Sequence, residues 1–259
     1  MKKLLLAIYF SIFLYGNPEI DWFVQHNGSS EESHGHYIMT CQDGGFLQIG
    51  ESNFLPNSKI YIVKTDSNGQ MNWSREIYNG GHNLGNSAIE LEDGYLIVGA
   101  LNRNSALIKL DKQTGSTIFS QTFNNGGTDA FEHAVRTPNG IVAVGYVNAQ
   151  DSNNTFYTEG QGYIMFLDEN ANEISSMNLN SLISQAYRVQ YVNDELIISG
   201  LSEEAFDFKL IKMTLDGDVL WHQSYGGNDY DHCFGMDIGN DGSIFLAGHT
   251  LSGTQNWDT

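Results

Sequence analysis

Five times in 259 residues an apolar run is closed by glycine: Phe46–Gly50, Tyr95–Gly99, Ile141–Gly145, Leu196–Gly200 and Ile244–Gly248. The closing glycines stand 49, 46, 55 and 48 positions apart. A period of about 48 residues made of strand-like pieces marks a radial or stacked β-array, because one such unit cannot bury its own faces. Turn signals precede the runs: Asp43-Gly44, Asp93-Gly94, Asn139-Gly140 and Asp241-Gly242. Such pairs tolerate the positive φ of a tight hairpin. The fourth copy has Asp194-Glu195 instead.

The rest of each unit repeats as well. A second strand runs through Ile62-Val63-Lys64-Thr65-Asp66, Leu107–Asp111, Ile164–Asp168 and Leu210–Met213. A polar turn follows, then an aromatic strand with Trp73, Phe119 or Trp221, and Trp22 is its counterpart near the start. Next comes a corner: Tyr78-Asn79-Gly80-Gly81, Phe123 to Asp129 around Gly126-Gly127, and Tyr225-Gly226-Gly227-Asn228-Asp229. The aspartate after the glycines is placed to accept backbone N–H bonds at the bend. Four strands per unit without helical periodicity predict an all-β fold, a β-propeller of about five four-stranded blades. Runs such as Tyr95-Leu96-Ile97-Val98 do not alternate, so that strand is expected to be buried on both faces. The expectation places it nearest the axis, with the corner strand outermost. Five glycine-closed strands have only four partners of the Lys-Asp type. The last blade is therefore expected to combine strands from both termini and to lack one, as in a fragment truncated at its C-terminus.

The order of an aromatic strand, Tyr-Gly-Gly, Asp-Gly and a glycine-closed run resembles a family of secreted bacterial-type β-propeller repeat proteins. The resemblance is clearest in Trp221, Tyr225-Gly226-Gly227, Asp241-Gly242 and Gly248, and in Tyr78, Gly80-Gly81, Asp93-Gly94 and Gly99. Ser175-Ser176 departs from it where tryptophan is expected. The resemblance implies a fold and an extracellular or surface location, not a reaction.

Met1-Lys2-Lys3 followed by the apolar stretch Leu4–Tyr15 reads as a signal peptide over 1–16, leaving 17–259 as the repeat domain. A secreted or cell-surface protein follows, with no membrane span after cleavage. The formal charge of −19 repels nucleic acid and anionic lipid. A monomer meeting an extracellular ligand or protein is expected, with no cofactor. Cys41 lies two residues before its Asp-Gly turn and Cys233 eight before its own. That offset is roughly 20 Å of strand at ~3.3 Å per residue, beyond disulfide reach.

Candidate sites are sparse. The long connection Tyr146–Gly162 carries Tyr146, Phe156 and Tyr157 among amides, a composition suited to stacking on sugars or gripping a peptide. His34 and His36, with Glu31 and Glu32 nearby, lack a metal-ligand spacing and read as solvent-facing. Asp66-Ser67-Asn68-Gly69 and Asp168–Asn172 read as hairpin turns, since neither supplies the distal glutamate of a calcium loop. Asn27, Asn72 and Asn153 begin N-glycosylation sequons that matter only in a eukaryote. No hydrolase elbow, phosphate loop or zincin helix is present. The expected function is ligand or protein binding. A glycoside-active enzyme on a five-bladed propeller, needing two opposed carboxylates, and a structural surface component are the alternatives.

Overall fold

A computed structural model describes residues 21–29, 32–53, 56–150, 160–179, 181–202 and 207–251. The signal-peptide reading, Phe156, Tyr157 and Asn153 lie outside the described residues. The described chain is all β. The first sheet holds β1 (Ser33–Thr40), β2 (Phe46–Ser52), β3 (Lys59–Thr65) and β4 (Met71–Ile77). The second holds β5 (Leu84–Glu90), β6 (Tyr95–Leu101), β7 (Asn104–Leu110) and β8 (Thr117–Phe123). The third holds β9 (Thr128–Thr137), β10 (Gly140–Ala149), β11 (Gln161–Leu167) and β12 (Glu173–Asn178). The fourth holds β13 (Gln185–Val192), β14 (Glu195–Leu201), β15 (Phe208–Thr214) and β16 (Val219–Tyr225). The fifth sheet has two described strands, β17 (Asp231–Ile238) and β18 (Ile244–Thr250). Every pairing is antiparallel between strands adjacent in sequence, giving repeated sheets in a propeller-like arrangement.

The apolar runs form the second strand of each sheet, and β6 is buried along its whole length. Its side chains divide between two cores. Tyr95 and Ile97 join Leu47, Ile49, Ile60 and Ile62 of the first sheet. Leu96 and Val98 join Phe131, Ile141 and Ala143 of the third. The second sheet is thus sandwiched between the first and the third, and each fully buried aliphatic side chain contributes about 1.5–3 kcal/mol.

The radial order corrects the sequence expectation. The innermost strands are the returning corner strands β1, β5, β9, β13 and β17, of which β9 packs on both β5 and β13. The glycine-closed run is second from the axis, and the aromatic strand is outermost. The reason is physical: a strand apolar on both faces needs a neighbour on both edges as well, which the second position supplies. The rim strands β8, β12 and β16 are largely exposed. The fourth hairpin turns on Asn193 and Asp194, both at positive φ (52° and 65°), which replaces the missing glycine. At the corners, Asp129 accepts Asn125 N–H (2.6 Å) and Asn148 N–H (2.7 Å), as its position predicts. In the last corner Asp231, rather than Asp229, accepts Gly227 N–H (2.7 Å).

Candidate functional site at the axis

The closing glycine explains what faces the axis. None of the five has a positive φ, so backbone freedom is not the reason for glycine. A Cβ on Gly50, Gly99, Gly145, Gly200 or Gly248 would overlap the carbonyl oxygen of His34, Leu84, Ala130, Gln185 or His232 on the inner strand. The register of the inner strand slips at the same place in every sheet. It skips His36, Asn86, Glu132, Tyr187 and Phe234 in turn. A β-bulge re-aims its extra side chain, and here three bulged residues reach toward the next inner strand. His36 Nδ1–H donates to Gly85 O (3.1 Å) and Asn86 Nδ2–H to Phe131 O (2.9 Å). Tyr187 OH meets His232 Nε2 at 2.6 Å, and its ring lies 5.6 Å from that of Phe234.

Burial sets the electrostatics of this belt. The Glu132 carboxyl is pushed up to about 7 by desolvation, against the pull of the Arg188 charge. His133 is held down to about 3 by burial and then by Arg188, and His232 to about 3 by burial and then by His249. Both imidazoles are neutral at physiological pH. Tyr37 of β1 and His133 of β9 cross the axis edge to face, with centroids 5.8 Å apart.

Beside this crossing, toward the hairpin turns, a cavity of ≈ 670 Å³ opens between the inner strands of all five sheets. Tyr37, Met39, Ala88, Val189 and Met236 form apolar parts of its wall, while Gln42, Gln190, Arg136 and Arg188 supply polar groups. Its one lining carboxylate among the described residues is committed. Glu90 accepts Gln42 N–H (2.8 Å) and pairs with Lys112 (2.9 Å). Arg188 donates to Tyr187 O (3.0 Å), and neither Arg188 nor Arg136 has an ion-pair partner among the described residues. A side cavity of ≈ 600 Å³ between the first two sheets differs in that its lysines are matched, Lys64 with Asp43 and Lys112 with Glu90.

The residues singled out from the sequence lie elsewhere. β10 continues to Ala149, so Tyr146 is a strand residue, 3% exposed against Ala100, Ala130 and Ala149. Asn27 and Asn72 are exposed, the latter on β4. His34 is solvent-facing and paired with Glu32 (3.0 Å), but His36 is half-buried, because the bulge turns it toward β5. Among the described residues no group of three or more His, Cys, Asp or Glu is placed to hold a metal ion. Cys41 and Cys233 are buried free thiols. The carboxylates of Asp66 and Asp168 accept backbone N–H bonds within their own turns. Sequence reasoning missed Arg188 and Arg136. The available signal was an arginine inside an otherwise uncharged inner strand, Ala186-Tyr187-Arg188-Val189.

A propeller-like β protein with a polar cavity at its axis is the class that this fold and site define. No protein-family model and no curated protein matches the chain. Solved structures match it in fold. One is a subtype N10 neuraminidase-like protein of a little yellow-shouldered bat isolate, 16% identical with a TM-score of 0.51, covering 81% of this chain and 63% of that one. Another is a mutant of the Synechocystis apocarotenoid oxygenase, 10% identical with a TM-score of 0.50, covering 83% of this chain and 55% of that one. The chain spans less than two thirds of either structure's length. At such identities the likeness shows the fold alone. No helix among the described residues is long and apolar enough to cross a membrane.

Proposed function

We propose that this protein is a secreted binding protein on a five-bladed propeller and that its ligand enters the axial cavity. The observation that carries the reading is that cavity: its volume lies in the range of small-molecule sites, and all five inner strands contribute to it. The basic and apolar leader Met1–Tyr15 supports secretion. Five blades are supported by Trp22, whose ring packs on Gly69 as that of Trp73 packs on Gly115. By that analogy 21–29 stands where the outer strand of the fifth sheet belongs. A glycan and peptide array probed with the wild type and with Thr40→Trp, at an exposed lining residue, tests the reading. Hits that vanish together in the variant support the cavity; hits that all survive reject it.

Glu132 favours a second reading, glycoside hydrolysis, because a carboxyl near pKa 7 suits a general acid. That reaction needs a second carboxylate roughly 5–10 Å away. Glycan cleavage that is lost in Glu132→Gln would turn the assignment toward an enzyme.

A further inference from the structure

We infer that the axial cavity binds a small ligand through an oxyanion, a carboxylate or phosphate gripped between Arg188 and Arg136. The inference rests on the axial-cavity reading above and adds the chemistry of what enters. The chain has four arginines, and two of them line this one cavity. Neither is neutralised by an ion pair among the described residues. That is unusual for a chain with 31 acidic residues, in which Lys59, Lys64, Lys109, Lys112 and Lys212 each pair with a carboxylate.

The acids close enough to compensate do not. Glu90 is held by Lys112 and the Gln42 amide. Glu132 feels the charge of Arg188 but makes no ion pair with it, and burial favours its neutral form. His133, on the same wall, is neutral and adds no competing charge. Two arginines in a partly apolar lining that also holds Tyr37 and Gln190 give the cavity a positive charge suited to a small anion. The planar fork of arginine suits the paired oxygens of carboxylate and phosphate alike. The net charge of −19 limits the guest to a small anion, since a polyanion is repelled by the rest of the surface.

The test observes the arginines directly. The full chain is labelled with nitrogen-15 arginine, and each Nε–H signal is assigned by Arg→Lys substitution. Glucuronate, inorganic phosphate and glucose are then titrated to roughly tens of millimolar, enough to detect a millimolar dissociation constant. At least one anion should shift the Arg136 and Arg188 signals saturably and leave Arg75 and Arg103 in place. Glucose should shift none of them, and the stronger anion identifies carboxylate or phosphate. Arg136→Gln, at an exposed position, should weaken the anion at least about fivefold, as expected for loss of a charge-assisted bond. Raised salt should weaken it further. No saturable shift from either anion, an equal shift from glucose, or unchanged affinity in Arg136→Gln overturns the inference. Array hits that need the cavity but leave the arginine signals unmoved would sink the oxyanion and keep the binding function. Hits indifferent to Thr40→Trp alongside saturable arginine shifts would do the reverse.

Discussion

Gly145 has the Ala130 carbonyl where its own Cβ would stand, whereas Gly35 has nothing within 4 Å of that position. Gly145→Ala must push the inner strand off its bulge and should cost about 1–3 kcal/mol or more, the range of core overpacking. Gly35→Ala, next to the bulge at His36, should stay within about 0.5 kcal/mol. Urea melts of the two variants check the pair. The glycines were legible in the sequence as a period, but their cause was not. The apolar letters record burial and are silent about a register slip on the neighbouring strand. Glu132 gives a second prediction at this scale. Its unfolded value is 4.5 and its native value about 7, so between these pH values only the native state keeps the proton. Stability therefore falls as pH rises through that window, by about 3 kcal/mol at ~1.4 kcal/mol per pKa unit. His133 and His232 run the other way: depressed from 6.5 to about 3, they add stability above 6.5 that is lost as pH falls toward 3. Two imidazoles outweigh one carboxyl on the acid side, so the combined contribution of these three groups is greatest at pH ~7. Glu132→Gln should raise the Tm at pH 8 by about 5 °C or more and give no such gain at pH 4.5. A gain independent of pH would contradict the assignment.

The second and third strands of a sheet are joined by a charge pair that the sequence displayed without explaining. Lys64 of β3 reaches Asp43 (2.8 Å) and Lys109 of β7 reaches Asp93 (2.7 Å), each acid lying in the hairpin turn before the glycine-closed strand. Lys212 of β15 pairs instead with Glu195, the first residue of β14. The third sheet has Phe166 in the lysine position and Asn139 in the turn, so both halves of the pair are absent together. The Lys64 and Lys109 side chains are almost wholly buried while Asp43 and Asp93 are exposed, so those two pairs exist to satisfy the ammonium. Asp43→Asn leaves Lys64 with the Thr65 carbonyl (2.7 Å) and should cost about 1–3 kcal/mol. Asp93→Asn combined with Lys109→Phe copies the third sheet and should cost less than Asp93→Asn alone. A double variant as damaged as the sum of its parts would show that the two positions are independent. Strand identity and order along the chain were readable because each strand carries its own turn residues. Radial order was not, since burial on both faces is shared by first, second and third strands alike, as in β5, β6 and β7.

Across the whole molecule, the fifth sheet departs from the other four in three ways that agree. Phe245 is 63% exposed, although Leu47, Leu96, Val142 and Ile197 at the equivalent register are buried. Asp241 accepts Ser243 N–H (3.0 Å) in its own turn, and no lysine pairs with it among the described residues. Trp221 on the rim of the fourth sheet is 39% exposed, whereas Trp73 is 7% exposed against the turn of the next sheet. All three sit where a third strand beside β18 would pack, and among the described residues no such strand pairs with β18. Local opening is cheapest where buried apolar contacts are fewest. The amides of β18 should therefore exchange with solvent at least about tenfold faster than those of β6, a difference of about 1.4 kcal/mol in opening free energy. Because Met236 of β17 lines the axial cavity, that opening reaches the site. An anion bridging the inner strands should slow exchange in β17 more than in β6, as expected when a ligand binds the closed form alone. Equal protection of β6 and β18 without ligand would mean that the fifth sheet is as firmly closed as the rest. The cavity would then be a fixed feature of the fold, with no opening step for a ligand to suppress.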